Sequence, residues 1–323
     1  MSASLSKTDR VLALVSQVSR SMAGQAPARV TPFPATPTQW ATTYRISWAG
    51  AGRDAVARAV DPALSSRDAV QAEFALAEEL GSAGVGPRVL HTDHESQLLI
   101  MEHIPGVHLT DQAATDRHVT WIAELLRRLH DLPTTGRPRL HDAKTAQSIE
   151  AARQTIHAHA TLTPYTAALT QYTALKEHLK ATMPAEKLCH NDLNPTNILF
   201  GIERAWLIDF DHAGPCDPFF DLATVILALK FDLDTELNFL ARYLTRTPVD
   251  AEIQHLKATK SLVLLRYALV TLSLVPAAFD FARADRQEGS IPPPFVFEHR
   301  AGEGHSAAVY RLSRSFLADA MKS

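Results

Sequence analysis

The chain has 323 residues and a formal net charge of −3, with 32 lysines and arginines against 35 aspartates and glutamates. That length allows a small domain plus a larger one, each with a real core. The charge balance excludes the broad basic footprint of a nucleic-acid-binding protein, and the two cysteines, Cys189 and Cys216, read as free thiols of a reducing compartment.

The opening stretch Met1–Lys7 lacks the charged, apolar, small-residue succession of a secretory signal, so a cytoplasmic protein is expected. A helix is predicted from Asp9 to Ser21, where Val11, Leu12, Leu14, Val15 and Val18 recur at helical spacing. Residues 25–38 hold four prolines and read as a connector. Two strands are predicted at residues 42–48 and 55–60, joined by the turn Ala49-Gly-Ala-Gly-Arg-Asp54. A helix over 66–81 follows, with Ser66 or Asp68 near its cap and Gly81 closing it, and then strands over 85–91 and 97–103. The segment 121–130 is an amphipathic helix with a core stripe of Leu125, Leu126 and Leu129. Residues 134–147 read as a polar loop, and 148–182 as helical with an interruption at Pro164. Helices are expected from Asp217 to Lys230, near 234–246, over 250–285, and near 306–321 after an irregular tail around Ile291-Pro-Pro-Pro294. The most apolar stretch, Ser261 to Phe279, is long enough for a membrane span, but it contains Arg266 and Pro276 and reads as a buried helix.

Chemistry concentrates in Cys189-His-Asn-Asp-Leu-Asn-Pro-Thr-Asn-Ile-Leu-Phe200 and Trp206-Leu-Ile-Asp-Phe-Asp-His212. Asp192 stands five positions before Asn197, and Asp209 twelve further on at the end of an apolar run. A carboxylate, a carboxamide and a second carboxylate are what phosphoryl transfer from a magnesium nucleotide requires: one group to orient the attacking hydroxyl and take its proton, two oxygen donors for the metal. Singly, Asp192 reads as a turn residue, Asp209 as a strand-end cap and Asn197 as a loop tie. Together at this spacing they argue for the chemistry. Cys189-His190 has no second Cys/His cluster at zinc-site spacing.

His190-Asn-Asp192-x4-Asn197 resembles the catalytic loop of protein kinases, and Asp209-Phe-Asp resembles their Asp-Phe-Gly. The wording around "HNDLNPTNIL", "LIDFDHAG" and "DPFFDLA" is closer to the choline/ethanolamine kinase and aminoglycoside phosphotransferase superfamily. That resemblance is specific over residues 189–223 and looser over roughly 39–285. It implies an α+β, two-lobed protein-kinase-like fold with a small, mostly antiparallel β lobe carrying one helix and a larger α-rich lobe. The expected parts are an N-terminal helix and connector at 1–38, a nucleotide-binding lobe at 39–104, and a catalytic and substrate lobe at 105–323. The cofactors implied are ATP and Mg. Asp192 is then the catalytic base, supported by His190 and braced by Asp221, with Asn197 and Asp209 as metal ligands. Arg58 would hold the phosphates, paired with Glu73, and Met101, Glu102, His103 and Ile104 would form the adenine-reading hinge. The phosphate-covering loop, often glycine-rich in the family, has no glycine between Pro34 and Tyr44; Thr42 and Thr43 are the substitutes the sequence offers.

Asn194 stands where protein kinases place a lysine, and only twelve positions separate Asp209 from Asp221, too few for a peptide platform. The expected acceptor is therefore a small-molecule alcohol, with choline, ethanolamine or a related amino alcohol ahead of aminoglycosides, thiamine and sugars. Asp211, Phe219, Tyr267, Phe279 and Phe281 are the substrate-pocket residues, since a quaternary ammonium calls for aromatic faces and nearby carboxylates. The rival reading is a non-catalytic nucleotide- or metabolite-binding module. No nucleic-acid partner and no membrane insertion are expected, and a homodimer is compatible with a sequence that is silent on assembly.

Overall fold

The computed structural model describes residues 7–23, 27–33, 41–49, 54–61, 63, 65–110, 113–182, 184–286, 291–300 and 302–322. Its helices are α1 (Lys7–Ala23), α2 (Arg67–Ser82), α3 (Asp116–His130), α4 (Leu140–Ala158), α5 (Thr163–Thr182), α6 (Pro218–Ala228), α7 (Leu233–Leu244), α8 (Asp250–Ser273), α9 (Phe281–Arg286) and α10 (His305–Ala320). Its strands are β1 (Arg29–Pro32), β2 (Ala41–Ser47), β3 (Ala55–Val60), β4 (Val89–Asp93), β5 (Leu98–Glu102), β6 (Lys187–Cys189), β7 (Ile198–Phe200), β8 (Ala205–Leu207) and β9 (Gly214–Cys216). The chain divides into two compact units, Met1–Val107 with Gly201–Phe210, and His108–Phe200 with Asp211–Ser323.

In the first unit, five antiparallel strands run in the order β1-β2-β3-β5-β4. Alternation along the strands sorts the side chains onto two faces. Ala55, Ala57 and Ala59 of β3, Tyr44 and Ile46 of β2, and Leu98 and Ile100 of β5 form one buried face. Val15 of α1 packs into it with Leu12, Leu14 and Val18 around it. The other face of β3 carries Arg58, which reaches a carboxylate of α2. The residues 201–210 join this unit through a Leu207 N–H donated to the Val85 carbonyl at 3.0 Å. Ser66 caps α2, accepting from the Ala69 N–H at 3.3 Å.

The second unit is helical around a short β6–β9 ribbon. Helix α8 is its axis and packs against α4, α5, α6 and α10, while α3 packs against α7. Asp217 caps α6 by accepting the Phe219 N–H at 2.9 Å, and Pro218 supplies the first helical position without a donor to lose. Both cysteines are free thiols, and burial pushes Cys216 up to about 12.

Four sequence expectations are corrected. The segment 25–38 contains a strand, β1, at the sheet edge where Pro32 costs no central ladder bond. Strand β4 starts at Val89, not 85, because Val85 and Gly86 spend their N–H groups on Leu80 of α2. Helix α4 already begins at Leu140, inside the expected loop 134–147, with polar residues on its solvent side. The expected helix over 250–285 breaks after Ser273, where Pro276 lies and a turn from Phe279 N–H to the Pro276 carbonyl precedes α9. Most of the turn at 49–54, and residues 34–40 of the phosphate-covering segment, lie outside the described residues. No helix among the described residues is long and apolar enough to cross a membrane.

Candidate active site

In the first unit Arg58 is the organising charge. Its Nε donates to Glu73 Oε1 at 2.9 Å, and its Nη2 stands 3.1 Å from Asp209 Oδ1. Glu73 is thus the carboxylate that holds the guanidinium in position. Thr43 pairs directly with Arg58 in the β2–β3 register and shares its face; Thr42 pairs with Ala59 and faces the other way. Asp209 has φ of 66°, a left-handed conformation that aspartate tolerates better than most residues. Phe210 anchors it from behind, buried against Gly86, where an added Cβ would meet two ring carbons at 2.9 Å.

The expected hinge residues carry structural bonds of their own. Glu102 accepts the Arg88 N–H on Oε1 at 3.0 Å, and its own N–H donates to the Arg88 carbonyl at 2.9 Å. The His103 N–H donates to the Asp54 carbonyl at 3.1 Å. Met101 is the penultimate residue of β5, opposite Val56 and Val89, and Ile104 follows beyond the end of the strand.

In the second unit the loop after β6 is built on Asp221. This fully buried carboxylate accepts the His190 N–H on Oδ2 at 2.7 Å and the Asn191 N–H on Oδ1 at 2.8 Å. His130 adds a third donor at 3.1 Å from Nε2, and its Nδ1 meets the Tyr243 hydroxyl at 2.8 Å. Asn191 is left-handed, with φ of 66°, and its Nδ2 donates to the His212 and Gly214 carbonyls at 3.1 and 3.3 Å. The loop is therefore pinned on both sides immediately before Asp192. Asn197 then turns back: its Nδ2 donates to the Asp192 carbonyl at 2.8 Å and approaches Oδ2 at 3.3 Å, which leaves its Oδ1 outside both bonds. Asn197 and Asp209, each within its own unit, offer oxygen donors of the kind that hard divalent cations such as magnesium take.

The remaining oxygen of Asp192, Oδ1, accepts the Tyr267 hydroxyl at 2.8 Å. Burial, and next the Asp192 charge, push that hydroxyl well above its ordinary range, so it stays protonated and acts as a donor. The Tyr267 ring stacks on Phe316 at 5.1 Å and meets Phe295 edge-on at 5.0 Å, and Phe295 meets Phe316 at 4.9 Å. Asp211 is held by Lys144, whose Nζ donates to Oδ2 at 2.8 Å. Of the other aromatics expected at the substrate, Phe279 and Phe281 cluster with Tyr310, and Phe219 packs edge-on against His255.

Residues 37–256 match the sequence profile of APH, the phosphotransferase enzyme family. The chain belongs to the APH family. It is 40% identical over 62 residues to the LicA protein of Haemophilus influenzae, a stretch covering 17% of this chain and 23% of that protein, so under a quarter of the relative's length is matched. Its fold superposes on choline kinase LicA of Streptococcus pneumoniae with a TM-score of 0.65 at 19% identity, covering 96% of this chain and 99% of that one. It also superposes on the spectinomycin phosphotransferase APH(9)-Ia with a TM-score of 0.64 at 12% identity, covering 96% and 97%.

The APH match contains Arg58, Glu73, Asp192, Asn197, Asp209 and Asp221, and it ends before Tyr267, Phe295 and Phe316. Three residues of this APH chain escaped the sequence reading. Asn191 carried a signal, since asparagine is favoured in left-handed backbone and stands between two motif residues. Phe295 and Phe316 carried none, because their meeting with Tyr267 depends on how the tail returns to α8.

Proposed function

We propose that this APH-family protein is a small-molecule kinase that moves the γ-phosphoryl group of ATP to the hydroxyl of an amino alcohol, with choline and ethanolamine as the leading class. The observation that carries the reading is the fixation of Asp192, whose backbone is pinned by Asp221 and Asn191 and whose carboxylate is oriented by Tyr267 and Asn197. A carboxylate held this way orients an acceptor hydroxyl and takes its proton as the oxygen attacks phosphorus. Arg58, kept in place by Glu73, binds the phosphates and offsets their charge. A magnesium ion, bound by Asn197 and Asp209, would neutralise charge on the transferring group. The catalytic gain comes from positioning and fixed charge rather than from covalent chemistry.

Beside Asp192 the buried, stacked rings of Tyr267 and Phe316 carry the half-buried Phe295, and an aromatic ring there favours an acceptor with a quaternary or primary ammonium end. We also propose a cytoplasmic location, in keeping with the two free thiols. The test is Mg-ATP consumption by the purified protein against choline, ethanolamine, thiamine, sugars and aminoglycosides, with Asp192→Ala as control. Acceleration by choline or ethanolamine that vanishes in the variant supports the reading. Acceleration by an aminoglycoside alone moves the acceptor class, and no acceleration by any alcohol, with ATP still bound, favours a binding module.

A further inference from the structure

Within the second unit, helices α4, α5 and α8 and the chain at 215–220 enclose a cavity of about 520 Å³. Neither Asp192 nor Asn197 lines it. Arg266, His141, Thr145 and Lys176 do. Arg266 is 4% exposed, and the groups that meet its guanidinium are neutral. Its Nε donates to Thr145 Oγ1 and its Nη2 to His141 Nδ1, both at 3.4 Å, and its Cζ lies 5.2 Å from the rings of Phe220 and Tyr267. Its buried Nη1 has no hydrogen-bond partner. The partners Thr145 and His141 both line the cavity, so the guanidinium sits at the wall.

Four carboxylates line that wall, Asp142, Glu177, Glu186 and Asp217, and three of them are held by other basic side chains. Asp142 and Glu186 pair with Arg139, and Asp217 pairs with His255 at 2.6 Å. Burial first, then the positive charge of Arg266 with those of Lys176 and Lys144, hold the His141 imidazole well below its ordinary range. It is thus neutral, the state in which Nδ1 accepts from Arg266. A buried cation with two long hydrogen bonds, an orphaned donor and no counter-ion among the described residues is costly unless something anionic completes it.

We propose that this cavity binds the oxyanion group, phosphate or carboxylate, of a small metabolite, with Arg266 as the fork-shaped anchor, the Thr145 hydroxyl as a second donor and Lys176 at the rim. Guanidinium geometry matches two oxygens of either group. Neither Asp192 nor Asn197 lines the site, Arg266 also lies against Tyr267, and the proposal does not rest on the kinase reading.

The experiment is calorimetric titration with inorganic phosphate and, separately, with acetate, on the wild-type chain and on Arg266→Met, Lys176→Met and Thr145→Val. Saturable binding is expected in wild type, at least about tenfold weaker in Arg266→Met and less strongly weakened in Lys176→Met. Phosphate acting alone assigns a phosphate group; acetate acting alone assigns a carboxylate. Binding by neither anion overturns the proposal, as does binding unchanged in Arg266→Met. If Arg266→Met does not fold, Lys176→Met and Thr145→Val decide: unchanged affinity in both overturns the site.

Discussion

Tyr267, on the long helix α8, gives its hydroxyl hydrogen to Oδ1 of Asp192 at 2.8 Å. The bond joins residues 75 positions apart and fixes the rotation of the carboxylate that the proposed reaction depends on. Tyr267→Phe keeps the stack on Phe316 and deletes only the donor. Stability is expected to fall by about 1 kcal/mol. The phosphotransfer kcat is expected to fall about tenfold with the KM for ATP unchanged, as steady-state kinetics with both substrates varied would read.

Arg58 serves Glu73 and Asp209 through different nitrogens of one planar group. A lysine has a single nitrogen and cannot span both. Arg58→Lys is expected to raise the KM for ATP by roughly tenfold or more while the KM for the alcohol stays constant. An unchanged KM for ATP would remove Arg58 from the phosphate-binding role.

Asp221 is buried with three donors on it, two of them main-chain amides. Asp221→Asn presents an amide hydrogen to a donor that had an acceptor. The expected cost is about 3 kcal/mol in urea unfolding, with kcat more affected than ATP binding because the displaced segment carries Asp192.

At Gly86 the packing is tight without any special backbone angle. The Cβ of Gly86→Ala would overlap the buried Phe210 ring, adjacent to Asp209. A loss of about 1–3 kcal/mol is expected from overpacking. ATP affinity should weaken in the same variant, measured by titration at a temperature where the protein remains folded.

Acidification should weaken the fold through His141. Burial, then the nearby Arg266 charge, keep its folded-state proton affinity well below the ordinary value of 6.5. The unfolded chain takes up that proton first. Its contribution is therefore complete above about pH 7 and drains away as the pH falls through 6.5 toward the lower folded value, by up to about 1.4 kcal/mol per pH unit. His141→Gln should flatten this limb when urea midpoints at about pH 7.5 and about pH 5.5 are compared.

What the sequence disclosed follows from how local each feature is. Strand β3 reads directly as Ala55–Val60 because alternating small and β-branched residues stand between clear breaks. Asp192, Asn197 and Asp209 are legible because their spacing within one short stretch is itself the chemistry. Thr42 and Thr43 look alike in sequence, but only the register of β2 against β3 tells which one shares the Arg58 face. Phe279 and Phe281 stand out in the sequence as aromatic candidates for an ammonium pocket, whereas Phe295 and Phe316, the rings that meet Tyr267, arrive through a tail of prolines with no period to follow. Arg266 reads as a mark against a membrane span, and only the packing around it reveals a buried Nη1 without a hydrogen-bond partner and no counter-ion among the described residues.

The left-handed backbone at Asn191 and Asp209 limits which inactivating variants can be interpreted. Alanine at Asp209 would remove a carboxylate and also oppose the chain's local geometry, so lost activity would report two changes at once. Asparagine tolerates that conformation and alters the charge alone. At position 191 the same reasoning makes aspartate and glycine the informative replacements: aspartate keeps the turn but loses the amide donor, and glycine keeps the turn and loses the whole side chain.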